Sequence, residues 1–248
     1  MTAVSVVVIT KDEEKNIRDA LAGASFADEI VVLDSFSTDG TVDICRGFTD
    51  RVFQEEWRGF SGQKQRAVEL AGNDWVFVLD ADERITPALA EEIRKLVDAG
   101  PDRPGYYCPR RNHFMGREIR HGGWYPDYSI RLFDRRRGRF KDRAVHEAVE
   151  LDGEAGYIEN PMLHFTYDSV SDYIIRADKY STLAAQEMRK EGRRATISDL
   201  LLRPHMTFIK MYLFKGGFRD GIHGLLLAGL YSYYTFSKYA KLMEMGLR

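Results

Sequence analysis

Residues 4–10 read VSVVVIT, seven positions without a charge and with four valines. A strand with one wet face alternates polar and apolar residues, so a run this uniform predicts a strand covered on both faces. Two later segments repeat the signal, EIVVLD at 29–34 and WVFVLDADE at 75–83, and RVFQEEW at 51–57 reads as a short strand between them. The intervening segments have helical spacing. In KDEEKNIRDALAGA (11–24), Ile17, Ala20 and Leu21 share a face behind acidic residues expected in the first turn. STDGTVDICRGF (37–48) opens on good N-caps, SGQKQRAVELAG (61–72) closes on Gly72, and TPALAEEIRKLV (86–97) pairs a Thr86 cap with Pro87 at the first helical position. Strand and helix in this alternation predict an open parallel sheet with helices on both faces.

The 248 residues, 44% apolar and 30% charged, are enough for a substantial core in a globular protein. A net charge of -2 argues against a dedicated nucleic-acid binder. Two cysteines, Cys45 and Cys108, form no CxxC pair and suggest neither a disulfide scaffold nor a zinc site, which fits a reducing cytosol. The N-terminal residues lack a basic region and a small-residue cleavage site, and read as a first strand rather than a signal peptide.

Ligands of open α/β sheets bind beyond the carboxyl ends of the strands. Three polar clusters follow such ends: Thr10–Asp12, Asp34–Asp39 and Asp80–Glu83. They are expected to converge on one edge. Asp80-Ala81-Asp82 sets two carboxylates one residue apart, the oxygen donors that Mg²⁺ or Mn²⁺ takes together with substrate phosphates. A capped surface turn would look the same in isolation. No GxxxxGK[ST] is present, and TKDEEKN rather than GxGxxG follows the first strand. A nucleotide here would be held through carboxylates and a cation.

Beyond Gly100 the pattern shifts to hairpins: GYYCPRR, YSIRLFDRRRGRFK and VHEAVEL, with turns at Gly116, Gly122–Gly123 and Arg137–Gly138. From Ser169 the chain reads as helical, with Tyr173, Ala177, Tyr180 and Ala184 on one face. The expected organisation is a domain over 1–168, divided at residue 100, and a helical extension over 169–248.

The blocks VSVVVITKDEEKNI, IVVLDSFSTDGTVDI and WVFVLDADE resemble, in order and spacing, the signature blocks of family 2 glycosyltransferases. YSIRLFDRRRGRF, VHEAV and LHFTY are similar to the branch containing lipopolysaccharide-core β-glucosyltransferases. The resemblance implies the GT-A fold, a Rossmann-like, mostly parallel sheet with helices on both faces, followed here by the C-terminal helices. It implies a metal-dependent inverting transfer of a hexose, glucose first among them, from a UDP-sugar to a glycan or lipid-linked glycan acceptor in cell-envelope biosynthesis. Thr10, Asp12, Glu13 and Asp34 would lie beside the nucleoside. Asp80 and Ala81 would lie near the nucleotide-sugar, with Asp80 at the ribose or the metal, and Asp82 would bind the metal. Many relatives carry a second acidic residue where this chain has Ser35. Lys64 and Arg66 resemble the family's basic contact, although a solvated helix face would carry the same residues.

Two carboxylates compete for the role of general base: Glu147 in VHEAV, favoured by motif order, and Asp127 in WYPDYS, which a turn after Pro126 would also explain. His164 resembles a metal-binding histidine of some relatives, against the alternative of a satisfied core residue. His146 would orient the base or touch the acceptor. Trp124 and Tyr125 would stack on sugar or pack in the core. Residues 131–143, beginning with Arg131, hold seven basic residues, suited to a phosphorylated acceptor or to a solvated edge that blocks strand pairing. From Phe165 on there are 13 basic and 8 acidic residues, and the last helices mix Phe, Tyr and Leu with Lys and Arg. Such helices pack on the catalytic domain or a second copy, making a homo-oligomer, or rest on the inner face of the cytoplasmic membrane. Outside this reading stand a sugar-1-phosphate nucleotidyltransferase, whose glycine-rich basic loop is replaced here by acidic residues, and a non-catalytic sugar- or membrane-binding scaffold.

Overall fold

The computed structural model describes residues 2–141 and 148–247. The chain forms two compact units, Met1–Arg110 with Asp127–His164, and Arg111–Pro126 with Phe165–Arg248. In the first unit, β1 (Val4–Thr10), β2 (Glu29–Asp34), β3 (Val52–Gln54) and β4 (Trp75–Asp80) lie parallel in the order β3-β2-β1-β4. The sheet then changes character. After β5 (Glu83–Arg84), β6 (Gly105–Phe114) and β7 (Arg117–Glu118), strand β8 (Asp127–Asp134) runs antiparallel to both β4 and β6. A hairpin of β9 (Gly138–Phe140) and β10 (Val149–Leu151) stands apart from it. β11 (Gly156–Tyr157) pairs with β6, and β12 (Met162–Tyr167) sets His164 opposite Glu83 of β5.

The uniform strands are explained by their two faces. Side chains alternate along a strand, so Val4, Val6 and Val8 of β1 pack with α1 (Ile17–Gly23) and with Leu89, Ile93 and Val97 of α4 (Pro87–Asp98). Val7 and Ile9 pack on the other face, against Ala67 and Val68 of α3 (Gly59–Leu70). Each valine so covered contributes about 1.5–3 kcal/mol relative to exposure. The Thr86 cap of α4 forms as expected, its hydroxyl accepting from the Leu89 N–H at 3.2 Å.

The first helix is shorter than its spacing predicts. It begins at Ile17, and α2 begins only at Thr41, running to Arg46. The polar residues ahead of both spend their hydrogen bonds on each other instead of on helix ends, the competition typical of Asp, Ser and Thr. The Asp12 N–H donates to Ser37 Oγ (2.8 Å), the Glu13 N–H to Thr41 Oγ1 (2.8 Å) and the Gly40 N–H to Glu14 (3.1 Å). The loops after β1 and β2 are thereby tied into one platform.

The second unit is largely helical, with α5 (Val170–Lys190), α6 (Ile197–Ile209) and α7 (Gly221–Leu247). Ser169 caps α5, and a Thr196–Asp199 capping box opens α6. Met211, Leu227 and Ala228 pack with Phe114, Ile119 and Trp124. Among the described residues no helix is long and apolar enough to cross a membrane. The start of α7 passes so close to the turn before it that a Cβ at Gly224 would sit 1.8 Å from the Gly217 carbonyl oxygen. Gly224→Ala is therefore expected to destabilise the protein, by about 1–3 kcal/mol for overpacking, despite alanine's better helix propensity. A lower urea midpoint would register this, and an unchanged or higher one would contradict it.

Candidate active site

The register brings the predicted clusters together. Thr10 lies opposite Asp34, and Ile9 opposite Asp80, so the ends of β2, β1 and β4 are adjacent. Asp34 is fully buried. Its carboxylate accepts from Thr10 Oγ1 (3.0 Å), the Ser37 N–H (2.8 Å), Gln54 Nε2 (3.0 Å) and the Ser37 hydroxyl. About four lone-pair sites are all a carboxylate has, so Asp34 acts here as the anchor of the loop. Ser35 accepts from Gln63 Nε2 of α3 at 3.0 Å. Asp12 takes a positive φ of 53° and accepts from the Thr38 N–H at 2.7 Å, a bond that leads in holding its carboxyl below the usual range. Glu13 accepts from the Asn16 amide at 2.9 Å.

Lys64 and Arg66 part company. Two residues along a helix lie on different sides. Lys64 is buried and its Nζ meets Asp80 Oδ1 at 2.7 Å, whereas Arg66 turns to Glu55 at 2.9 Å. Asp80 Oδ2 accepts from Arg131 at 2.8 Å. Burial alone would raise the Asp80 pKa, but Lys64 and Arg131 outweigh it and hold the carboxyl far below its ordinary value. The Arg131 guanidinium also bonds to Glu83, which is fully buried and accepts from the Asp80 N–H at 3.0 Å. Arg110 lies 3.6 Å from Glu83 and 2.9 Å from Asp127. Six charges thus alternate in sign along a chain: Lys64, Asp80, Arg131, Glu83, Arg110, Asp127.

Asp82 faces His164, with Oδ2 and Nε2 at 3.6 Å. Burial by itself would lower the His164 pKa; the contact with Asp82 and the charge of Glu83 outweigh it, and the pKa is raised. Among the described residues no group of three or more His, Cys, Asp or Glu is arranged to hold a metal. One carboxylate and one imidazole still suit a divalent cation that takes its other ligands from a diphosphate and water. Ala81 is buried and its carbonyl accepts from Arg84 at 2.8 Å.

In the second unit Trp124 is buried with Phe114 and Met211, the core alternative of its two readings, while Tyr125 is exposed. Glu147 and His146 lie outside the described residues. Cys45 and Cys108 are buried free thiols, both pushed up to about 12 by burial, which suits neither to act as a nucleophile. Sequence reasoning missed Arg110 and underrated Glu83. Arg110 is found only through the β6–β8 register, which sets it opposite Asp127.

A parallel α/β half-sheet joined to an antiparallel half, with carboxylates and paired cations at its strand ends, has the architecture of a GT-A nucleotide-sugar transferase. The glycosyl transferase family 2 model matches residues 5–150, and the chain belongs to that family. It is 31% identical to the lipopolysaccharide core biosynthesis glycosyltransferase LpsC of Rhizobium meliloti, over 97% of this chain and 92% of that protein. An uncharacterized glycosyltransferase of Rickettsia typhi, RT0209, is 26% identical over 100% of this chain and 89% of the relative. Among solved structures, S. aureus TarS 1-349 in complex with UDP-GlcNAc superposes with a TM-score of 0.51 at 12% identity, over 99% of this chain and 92% of that one, a likeness of fold. The chain is a glycosyltransferase of family 2.

Proposed function

We propose that the chain transfers a hexose, glucose first among the candidates, from a UDP-sugar to a sugar of a lipid-linked glycan during lipopolysaccharide-core assembly, with inversion at the anomeric carbon. The observation that carries this reading is the meeting of Asp80, Lys64 and Arg131 at the β4 end, with Asp82 and His164 paired beside it. The relative LpsC is named for core biosynthesis, and the TarS structure holds UDP-GlcNAc, which makes UDP the first nucleotide to test.

In this reading Asp82 and His164 would hold Mg²⁺ or Mn²⁺. Bound there, the cation would supply positive charge to the diphosphate leaving group. Asp80, with both oxygens engaged by cations, fixes Lys64 and Arg131 in place. The interlocked loops bearing Thr10, Asp12 and Glu13 would border the nucleoside, with Asp34 holding them from beneath. Arg66 would reach the nucleotide only by leaving Glu55. The acceptor oxygen attacks the anomeric carbon as the bond to the diphosphate oxygen breaks. The electron pair leaves with UDP, and a carboxylate takes the acceptor's proton. Glu147 is the favoured base, with His146 beside it in sequence, and Asp127 is the alternative.

Calorimetric titration of UDP tests the donor side. Wild type should bind UDP at least tenfold more tightly with Mn²⁺ than without, a difference of about 1.4 kcal/mol, and Asp82→Asn should abolish that difference. Equal affinity with and without the ion would remove the cation from this site. No UDP binding under either condition would remove UDP.

A further inference from the structure

Helix α6 carries apolar residues on both sides, Leu200 and Phe208 packing inward and others left facing solvent. Its inward contacts with α7 are rich in hydroxyls: Ser232 donates to the Pro204 carbonyl at 2.9 Å, and Thr207 meets Thr235 at 3.2 Å. Its outward face is apolar. Leu201, Leu202 and Met206 are each about six-tenths exposed (59%, 63% and 60%). The stripe continues past the helix through Leu213, Phe214 at 81% exposure, Phe218 and Ile222. A helix covered by water places its leucines inward, and large apolar side chains left exposed in succession along one segment mark a surface that meets something.

The charges beside the band say what it meets. Between Leu200 and Arg219 the sequence has four basic residues, Arg203, Lys210, Lys215 and Arg219, and no acidic one. All four are exposed, and among the described residues only Arg203 has a carboxylate bonded to it, that of Asp199. Two copies joined by this face about a two-fold axis would set these cations against each other. An anionic lipid surface would instead accept the apolar band among its acyl chains and the ammonium and guanidinium groups among its headgroups. Since no described helix is able to span a bilayer, the contact is one of lying on the surface.

We infer that the face running from Leu201 through Ile222 is a membrane-docking surface that takes an anionic phospholipid bilayer. Leu202, Met206 and Phe214 enter the acyl region, and Lys210, Lys215 and Arg219 meet the headgroups. The inference rests on the second unit alone and is independent of the sugar-transfer reading.

Flotation of the full chain with phosphatidylglycerol–phosphatidylcholine vesicles tests it, with phosphatidylcholine vesicles alone as control. Wild type should float with the anionic vesicles and lose them at high salt. Replacing Lys210, Lys215 and Arg219 by Glu should weaken partitioning by at least about five-fold per position. Leu202→Ser with Phe214→Ser should weaken it comparably. All five positions are exposed, so the urea midpoint should stay where it is in wild type. Absence of wild-type flotation would overturn the inference, as would unchanged flotation of the charge-reversed protein. Sedimentation equilibrium provides the remaining arm: a wild-type dimer that Phe214→Ser converts to a monomer would give the face to a second copy instead. UDP titration is not touched by these variants, so either reading can fail without the other.

Discussion

Glu147→Gln is expected to bind UDP as wild type does and to lose about 10²–10⁴-fold in kcat, the usual worth of a positioned general base. Asp127→Asn is expected to lose less than about tenfold, because the contrast with a general base lies in what Asp127 already does. Its carboxylate is bonded to Arg110, and Arg110 in turn approaches the buried Glu83. An Asn carbonyl still accepts a hydrogen bond from that guanidinium, so the contact survives in weakened form. A carboxylate that must receive the acceptor's proton has no such substitute in an amide. Measuring kcat and UDP affinity in both variants separates the roles. The reverse ranking, with Asp127→Asn dead and Glu147→Gln active, would move the base to Asp127 and make its contact with Arg110 part of the chemistry.

The split between what the sequence reveals and what it hides follows the range of the forces involved. Strands β1, β2 and β4 are legible because burial on both faces leaves an unbroken apolar run, and α4 because its cap and proline are local signals. The convergence of the three acidic clusters is legible because parallel strands place their carboxyl ends together. Long-range pairing is not. Nothing in DADERI announces that Glu83 and Arg84 form a two-residue strand against β12, which sets His164 opposite Glu83. The division of labour between Lys64 and Arg66 was available from helix geometry, but which of the two faced the site depended on how α3 docks. The acidic run after β1 has the composition of a helix start. Its partners Ser37, Thr38 and Thr41 lie more than 20 residues away, and only the fold brings them within reach. Tail composition likewise announces amphipathicity without telling which face looks outward.

Replacing Glu83 should disturb both stability and the site more than its place in a short acidic motif suggests. The carboxylate is fully buried and lies between Arg131 and Arg110 while accepting the Asp80 N–H. Removing one partner of a buried ion pair strands the other, at a cost of about 3–5 kcal/mol. Glu83→Gln is expected to lose stability on that scale in urea unfolding. It should also weaken UDP binding, because Arg131 loses one of the two carboxylates that hold it beside Asp80. Desolvation gives the decisive comparison. Two buried charges replaced together by apolar side chains of similar volume often cost nothing, so Glu83→Met with Arg131→Met should recover a large part of the lost stability. It should not recover UDP binding, since Asp80 then retains Lys64 but no guanidinium. Recovery of both properties would make the Arg131–Glu83 pair a matter of folding alone. Recovery of neither would place the cost in the bond to the Asp80 N–H and the approach of Arg110, contacts of Glu83 that a methionine cannot replace and that Arg131 does not share.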